Sequence, residues 1–353
     1  MEEITEEIFE DNLDSFQRGI LSVVDGGSDF NDIVSQDPVN DEPGDDEPVI
    51  VVYEGPGGVT RKNTNPVKRK FSLLGYLGTV KMEKDKEGKV VYNPKAWLLQ
   101  TMLNELKYPL NPDGYFGPQT DEQVKKFQAD NALKLVDGVV GPVTWKKLIN
   151  QSRNKISSSK ISDQAFVDAA EKLKIEVEVI QAITKVEASG SGYVFSHHPA
   201  ILFESHMFWK ELNNGSKIDP KKINDKEILN PTWEQGQVYY VGGVGEWARL
   251  KKARDISCDA ANASASWGLF QIMGNNYKAC GCNKISEFVD RMKASEGEQL
   301  NLFVEFIKSN NLHQYLKPGN IKWAEFAKRY NGTGYWKHGY HTRLQEAYED
   351  YKK

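Results

Sequence analysis

The chain has 353 residues, 39% of them hydrophobic and 27% charged, with a formal net charge of −5. At ~150 residues per domain this is length for two modules and their appendages. The apolar share is enough to build cores and excludes a wholly disordered chain, and no run approaches the ~18 uninterrupted apolar residues of a membrane span. Three cysteines, Cys258, Cys280 and Cys282, are too few for a disulfide framework, and the last two are too close to pair comfortably. Residues 1–10 are acidic and lack a basic-then-apolar leader. The expectation is a chain made in a reducing compartment and kept there unless another factor exports it.

Net charge conceals an asymmetry. Residues 1–60 hold 17 Asp and Glu against the single Arg18, a net −16, whereas the remainder carries 44 Lys and Arg against 33 acids, a net +11. A basic body suits a polyanionic partner such as nucleic acid, an anionic membrane surface or bacterial wall polymer, and charge alone does not choose among them.

Residues 1–66 read as an acidic tail. The stretch from Asp37 to Pro48 is proline-punctuated and cannot build a core. Ahead of it, Ile4, Ile8, Leu13, Phe16 and Ile20 fall at near-helical spacing. They form either a solvated helix that keeps the chain soluble or an amphipathic docking peptide for another protein. Residues 67–94 read as a connecting segment.

Residues 95–149 contain a repeat. Asp113-Gly114-Tyr115-Phe116-Gly117-Pro118-Gln119-Thr120 returns 24 positions later as Asp137-Gly138-Val139-Val140-Gly141-Pro142-Val143-Thr144. Each copy reads as a tight turn followed by a helix start, with Pro in an early position and Thr as a candidate N-cap. Trp97, Leu98, Met102, Leu103 and Leu106 mark one apolar helix face, Val124 and Phe127 a second, and Trp145, Leu148 and Ile149 a third. The prediction is a three-helix bundle close to the lower size limit for independent folding. With Leu99-Gln100 before the first copy and Phe127-Gln128 before the second, this unit resembles the peptidoglycan-binding-domain-1 family. The resemblance implies binding to bacterial peptidoglycan.

Residues 150–160 form a polar Ser/Asn linker. From 161 to 353 the chain reads as mainly α-helical, with faces marked by Phe166, Ala169, Ala170 and Leu173 and by Val177, Ile180, Ile183 and Val186. Further helices are expected over 285–292, 300–307, 323–330 and 340–351. Period-2 runs of useful length are missing, so the fold class is mainly all-α.

Glu187 carries the most chemical information. Steps of three and four residues place it on the face of Ile180 and Ile183, and it lies in the last turn, where the helix dipole disfavours negative charge. Burial and dipole both raise a carboxyl pKa, as a general acid near neutrality requires. Periodicity alone also permits the stripe to end at Val186 with Glu187 in solvent. Glu187-Ala188-Ser189-Gly190, Ser266-Trp267-Gly268-Leu269-Phe270-Gln271 and Tyr330-Asn331-Gly332 resemble, in order, three signatures of goose-type lysozymes and lytic transglycosylases. Together with Ile201-Leu202-Phe203-Glu204-Ser205-His206, and with the run Ala263 to Gly274, residues 161–353 resemble the phage and prophage N-acetylmuramidases.

That resemblance implies a lysozyme-like helical catalytic domain that cleaves the β-1,4 bond between N-acetylmuramic acid and N-acetylglucosamine, with Glu187 as acid. It places the chain among phage lysins, with peptidoglycan as partner. Separately, the −16 charge of the tail suggests docking on a virion protein or shielding of the basic body. Glu204, Asp255 and Asp259 are candidates for the second carboxylate, and Glu204 stands within a family-like motif. Its alternative is a structural acid at a helix terminus. Ser266, Gln271, Tyr330 and Asn331 are expected to contact sugar or orient the cleft, and Trp267 and Phe270 to pack in the core. The run from Gly268 to Met273 reads as helical.

Other chemistries lack their signatures. Six histidines show no ligand spacing, so no metal or other cofactor is expected. No nucleic-acid fold is recognisable, and membrane insertion is not expected. Two competing readings remain: a lytic transglycosylase giving 1,6-anhydro products, and a non-catalytic wall-binding virion protein. For localisation the expectation is host cytoplasm until release to the wall, or carriage in a particle.

Overall fold

The structure, a computed structural model, describes residues 73–154, 156, 160–187, 191–214, 217–232, 240–332 and 335–353, with an antiparallel pair of strands, β1 (Val52–Glu54) and β2 (Thr60–Lys62). The apolar spacing from Ile4 to Ile20 lies outside the described residues. No helix among the described residues is long and apolar enough to cross a membrane.

Three helices form the N-terminal module: α2 (Pro94–Glu105), α3 (Pro118–Asp130) and α4 (Pro142–Arg153). A short α1 (Leu73–Leu77) precedes them and packs on α4. The repeat is a repeated hydrogen-bond device. The Gln100 side chain accepts from the backbone N–H of Asp113 and Gly114 at 3.1 and 2.8 Å and donates to Asp113 Oδ1, Tyr115 O and Thr120 Oγ1 at 2.9–3.0 Å. Gln128 does the same for the second copy, accepting from Asp137 and Gly138 and donating to Asp137 Oδ1, Val139 O and Thr144 Oγ1. One buried amide thus holds each turn to the helix that follows it.

The helices begin earlier than expected. Gly117 and Gly141 occupy the cap positions, each followed by proline at the first helical position, so Thr120 and Thr144 are acceptors inside the first turn and not caps. Residues 73–92, read from sequence as a connector, contribute to this module. Tyr76, Leu77 and Val80 are buried, Trp145 Nε1 donates to Gly78 O at 3.1 Å, and Val80 exchanges backbone hydrogen bonds with Val140.

The C-terminal module starts with α5 (Asp163–Leu173), capped by Ser162 Oγ accepting from Ala165 N, and α6 (Val177–Glu187). A hairpin of β3 (Tyr193–Phe195) and β4 (His198–Pro199) leads to β5 (Ile201–Phe203), α7 (Ser205–Asn213), α8 (Gly245–Arg254) and α9 (Cys258–Ala263). Next come β6 (Ala265–Trp267), β7 (Ile272–Met273), α10 (Ile285–Ala294) and α11 (Glu296–Ser309). A small hairpin, β8 (Leu316–Lys317) with β9 (Asn320–Ile321), precedes α12 (Trp323–Asn331) and α13 (Tyr340–Tyr351).

Helix α6 lies along α13 and α5, while α11 packs on α5 and α10 with Leu300, Phe303, Val304 and Ile307 buried. Strands β5, β6 and β7 form an antiparallel sheet in that order, with Leu202 opposite Ser266 and Ser266 opposite Met273. Residues 265–273 are therefore strand, turn and strand, not the helical run their sequence suggests. Strands of two or three residues are too short to show a period, and the buried sheet makes both faces apolar.

The modules meet through α2 against α8. Tyr92 OH donates to Asp255 and accepts from Lys251 Nζ at 2.6 Å, and Ser196 Oγ donates to Glu105 Oε2 at 2.8 Å.

Candidate active site

Helix α6 delivers Glu187 on the stripe of Ile180 and Ile183, and the carboxylate is 4% exposed. Asn331, at the end of α12 and fully buried, donates from Nδ2 to Glu187 Oε1 at 3.2 Å. The other carboxyl oxygen, Oε2, is buried and has no hydrogen-bond partner among the described residues. Burial pushes the Glu187 pKa up to about 7, against the hydrogen bond from Asn331 and the charge of Arg343, both of which pull it down. Arg343 on α13 donates to Val186 O, the carbonyl before the acid, at 3.4 Å.

Tyr330 joins two of the sequence motifs. Its ring stacks on Phe326 and meets Phe303 edge-on, and its hydroxyl donates to Phe270 O at 3.2 Å. Phe270 in turn stacks on Phe303 at 4.3 Å. Burial and the neighbouring Glu187 hold the Tyr330 phenol well above its ordinary range.

Gln271 has φ +47, a left-handed conformation unusual for a side chain with Cβ. Its amide offsets that strain by donating to Gly268 O at 2.7 Å and Ala200 O at 3.3 Å and accepting from Ser266 Oγ at 2.9 Å. Ser266, Gln271 and Tyr330 are thus buried with their polar atoms on protein partners, so they shape the site from behind. Trp267 and Phe270 are core residues: Trp267 donates from Nε1 to Asn262 O at 3.0 Å.

Glu204 stands at the N-cap position of α7 and is fully buried. Tyr240 OH donates to its Oε2 at 2.5 Å, and His206 Nδ1 lies 3.5 Å from the same oxygen. It connects to the Gln271 segment through the sheet, because Leu202 pairs with Ser266, which donates to Gln271. Asp255 is engaged at the module interface by Tyr92 and Lys251, and Asp259 is exposed in the first turn of α9. The structure therefore groups Glu187, Tyr330, Asn331 and the Phe270–Gln271 segment, seats Glu204 at the end of the adjoining strand, and leaves both aspartates outside. Among the described residues no group of three or more His, Cys, Asp or Glu could hold a metal ion.

Two supporting devices carry no motif. Gln299 on α11 accepts from Leu269 N at 2.7 Å and donates to Met292 O and Gly192 O at 2.8 and 3.4 Å, tying the 192 and 268–269 turns together. A side chain at Gly268, where φ is +69, would meet that amide at 2.8 Å. Glu246 accepts from Phe203, Val241 and Gly242 N–H groups and pairs with Arg249 at 2.7 Å, both fully buried. Their i,i+3 spacing on one helix was a readable signal, as was a lone Gln one position before the apolar face of α11. Arg343 had none.

Residues 176–352 match the N-acetylmuramidase family, and residues 96–148 match a peptidoglycan binding domain family. The chain resembles the crystal structure of the Burkholderia AP3 phage endolysin, with 32% identity and a TM-score of 0.50, over 78% of this chain and 99% of that one. An uncharacterized protein in the bpoA1 3' region of Kitasatospora aureofaciens is 53% identical over 53 residues. That match takes in 14% of this chain and spans 43% of the relative's length. The class is that of modular muramidases, a lysozyme-like helical domain joined to a wall-binding bundle. The chain belongs to the N-acetylmuramidase family.

Proposed function

We propose that the protein hydrolyses the β-1,4 bond between N-acetylmuramic acid and N-acetylglucosamine, with Glu187 protonating the bridging oxygen. The observation that carries this is the Glu187 carboxyl itself. One oxygen is held by Asn331, the other is buried with no partner among the described residues, and the group keeps its proton to about pH 7. A buried acid with one free edge is what protonation of a leaving oxygen demands as an oxocarbenium-like centre develops. Glu204, fixed by Tyr240 and His206, is the proposed second carboxylate, acting on water or the developing cation. Asn331 is proposed to orient the acid and meet the sugar. Ser266, Gln271 and Tyr330 act through the shape they give the site, and the 96–148 module holds the polymer.

One observation favours a second reading. Tyr240 already occupies an oxygen of Glu204, and a lone acid also suits a lytic transglycosylase, in which the sugar's own 6-hydroxyl attacks and leaves a 1,6-anhydro end. Mass spectrometry of digested sacculi separates the two. Reducing muramic acid ends are expected from the wild type, and no products from Glu187→Gln while that variant still binds walls. Anhydro ends would replace hydrolysis by transglycosylation, and undiminished lysis by Glu187→Gln would remove the acid assignment and leave a binding protein.

We also propose a phage-type lysin whose −16 tail docks on a virion protein or shields the basic body. The enzyme would reach the wall through a holin-type pore or with an infecting particle. Deleting residues 1–60 should reduce particle incorporation or alter activity, and a deletion that does neither removes the tail's proposed role.

A further inference from the structure

On the side of the C-terminal module built by α8, α9 and α10, two cations gather around one indole. The Arg254 guanidinium lies 5.4 Å from the Trp247 ring centroid and 5.7 Å from that of Trp267, and Lys293 Nζ lies 5.7 Å from Trp247. The His198 ring meets the same indole edge-on at 4.7 Å, and its Nδ1 is buried with no hydrogen-bond partner among the described residues. Trp247 is fully buried and fixed by donating from Nε1 to Pro199 O at 3.0 Å, so the platform is rigid. Arg254 Nε is spent on Asn262 Oδ1 at 2.7 Å, which orients the guanidinium and leaves its terminal N–H groups over. Among the described residues, neither Arg254 nor Lys293 forms an ion pair.

Placing like charges together against an apolar wall is costly unless a counter-charge is supplied. Burial and the charge of Arg254 hold the Lys293 ammonium below its ordinary range, with Asp290 and Cys258 acting the other way. Burial also lowers Arg254, to about 10, and His198, to about 3, the latter with help from Lys293, Arg254 and His197. Cation–π contact explains why both heads lie on the indole. It does not supply a counter-charge in contact: among the described residues neither head is ion-paired, and Asp290 acts on Lys293 only through its charge.

We propose that Arg254 and Lys293, framed by Trp247 and His198, form a receptor for an oxyanion, a carboxylate or phosphate group. Both occur on bacterial wall polymers, as the carboxylates of peptide stems and the phosphodiesters of wall-linked chains. The terminal guanidinium edge gives the planar donor pair that such a group takes in a bidentate fashion, and Lys293 adds a point charge. None of the hydrogen-bond partners of Glu187 belongs to this cluster, so the proposal stands or falls apart from the acid assignment.

Cys258 supplies the reporter. It is exposed while Cys280 and Cys282 are buried, and its Sγ accepts from Nδ2 of Asn262, the residue whose Oδ1 holds Arg254. In the full-length protein, its thiolate attacks the disulfide of dithiobis-nitrobenzoate, forming a mixed disulfide and releasing one thionitrobenzoate. At fixed ionic strength, inorganic phosphate or N-acetylmuramyl dipeptide should slow this labelling saturably, ~2-fold when the anion equals its Kd, whereas chloride should not. A response to phosphate alone assigns the site to phosphodiesters, and a response to the dipeptide assigns it to peptide carboxylates.

In Arg254→Gln and in Lys293→Met the response should vanish. Phosphate should raise the thermal midpoint of the wild type and not of Lys293→Met, a substitution at a half-buried surface position that the fold can accommodate. Equal slowing by chloride, or an unchanged response in both variants, overturns the proposal.

Discussion

Burial decides how the Glu187 carboxyl titrates, and a single hydrogen bond and a single cation oppose it. Desolvation raises it to about 7, while Asn331 and Arg343 favour its ionised form. Activity should therefore fall as pH rises through about 7 in profiles of kcat/KM, where the acid loses its proton. Asn331→Ala removes a donor to the carboxylate, so its alkaline limb should move to higher pH while kcat drops ~10-fold or more. A limb that stays in place would remove Asn331 as the residue that tunes the acid.

Stability must show the same group with the sign of a raised acid. Below pH 4.5 both states hold the proton; between 4.5 and about 7 the unfolded chain releases it and the folded one does not, so folding stability declines across that window. Glu187→Gln should be more stable than the wild type above pH 7 by up to ~3 kcal/mol, with the gain gone in urea melts at pH 4. The apolar steps Ile180, Ile183 and Glu187 made the burial of this carboxyl legible in sequence. Asn331 came with family resemblance alone, and Arg343 lies too far along the chain for any local pattern to reveal it.

Among elements, helices were readable and the sheet was not. The segments expected over 323–330 and 340–351 appear as Trp323–Asn331 and Tyr340–Tyr351, because repeated turns of one amphipathic face leave a periodic trace. The β5–β6–β7 sheet leaves none, and it is held by buried polar groups whose partners come from distant helices. Gln299→Leu would leave the Leu269 N–H buried and unpaired, at a cost of ~1–3 kcal/mol in urea unfolding, and should slow catalysis by loosening the 268–269 turn. Glu246→Gln leaves the Arg249 charge buried without its partner and should cost ~3–5 kcal/mol by the same measurement. Near-neutral outcomes would show that neither clamp fixes the strands behind Glu187.

At the scale of the molecule the wall-binding module is packed against the catalytic one. Tyr92 bonded to Asp255 and Lys251, Glu105 bonded to Ser196, and α2 laid on α8 fix their relative placement. Calorimetry of the full-length protein should give one unfolding transition. Tyr92→Phe combined with Glu105→Ala should widen or split it and lower activity on intact walls more than on short soluble glycans. Two separate transitions in the wild type would show the modules to be independent. The modular order was legible from the repeat and the later motifs, whereas residues 150–153 of the expected linker 150–160 are the last turn of α4 with Ser152 buried. The interface rests on single polar side chains that sequence does not distinguish from surface residues.

The twin amide clamps of Gln100 and Gln128 have a consequence for reshaping this protein. Each presents its turn on a near-identical backbone, with Tyr115-Phe116 in one and Val139-Val140 in the other. Phe116 and Val140 are buried, so Tyr115 and Val139 are the sockets at which a changed side chain alters what the bundle displays while the amide scaffold stays whole.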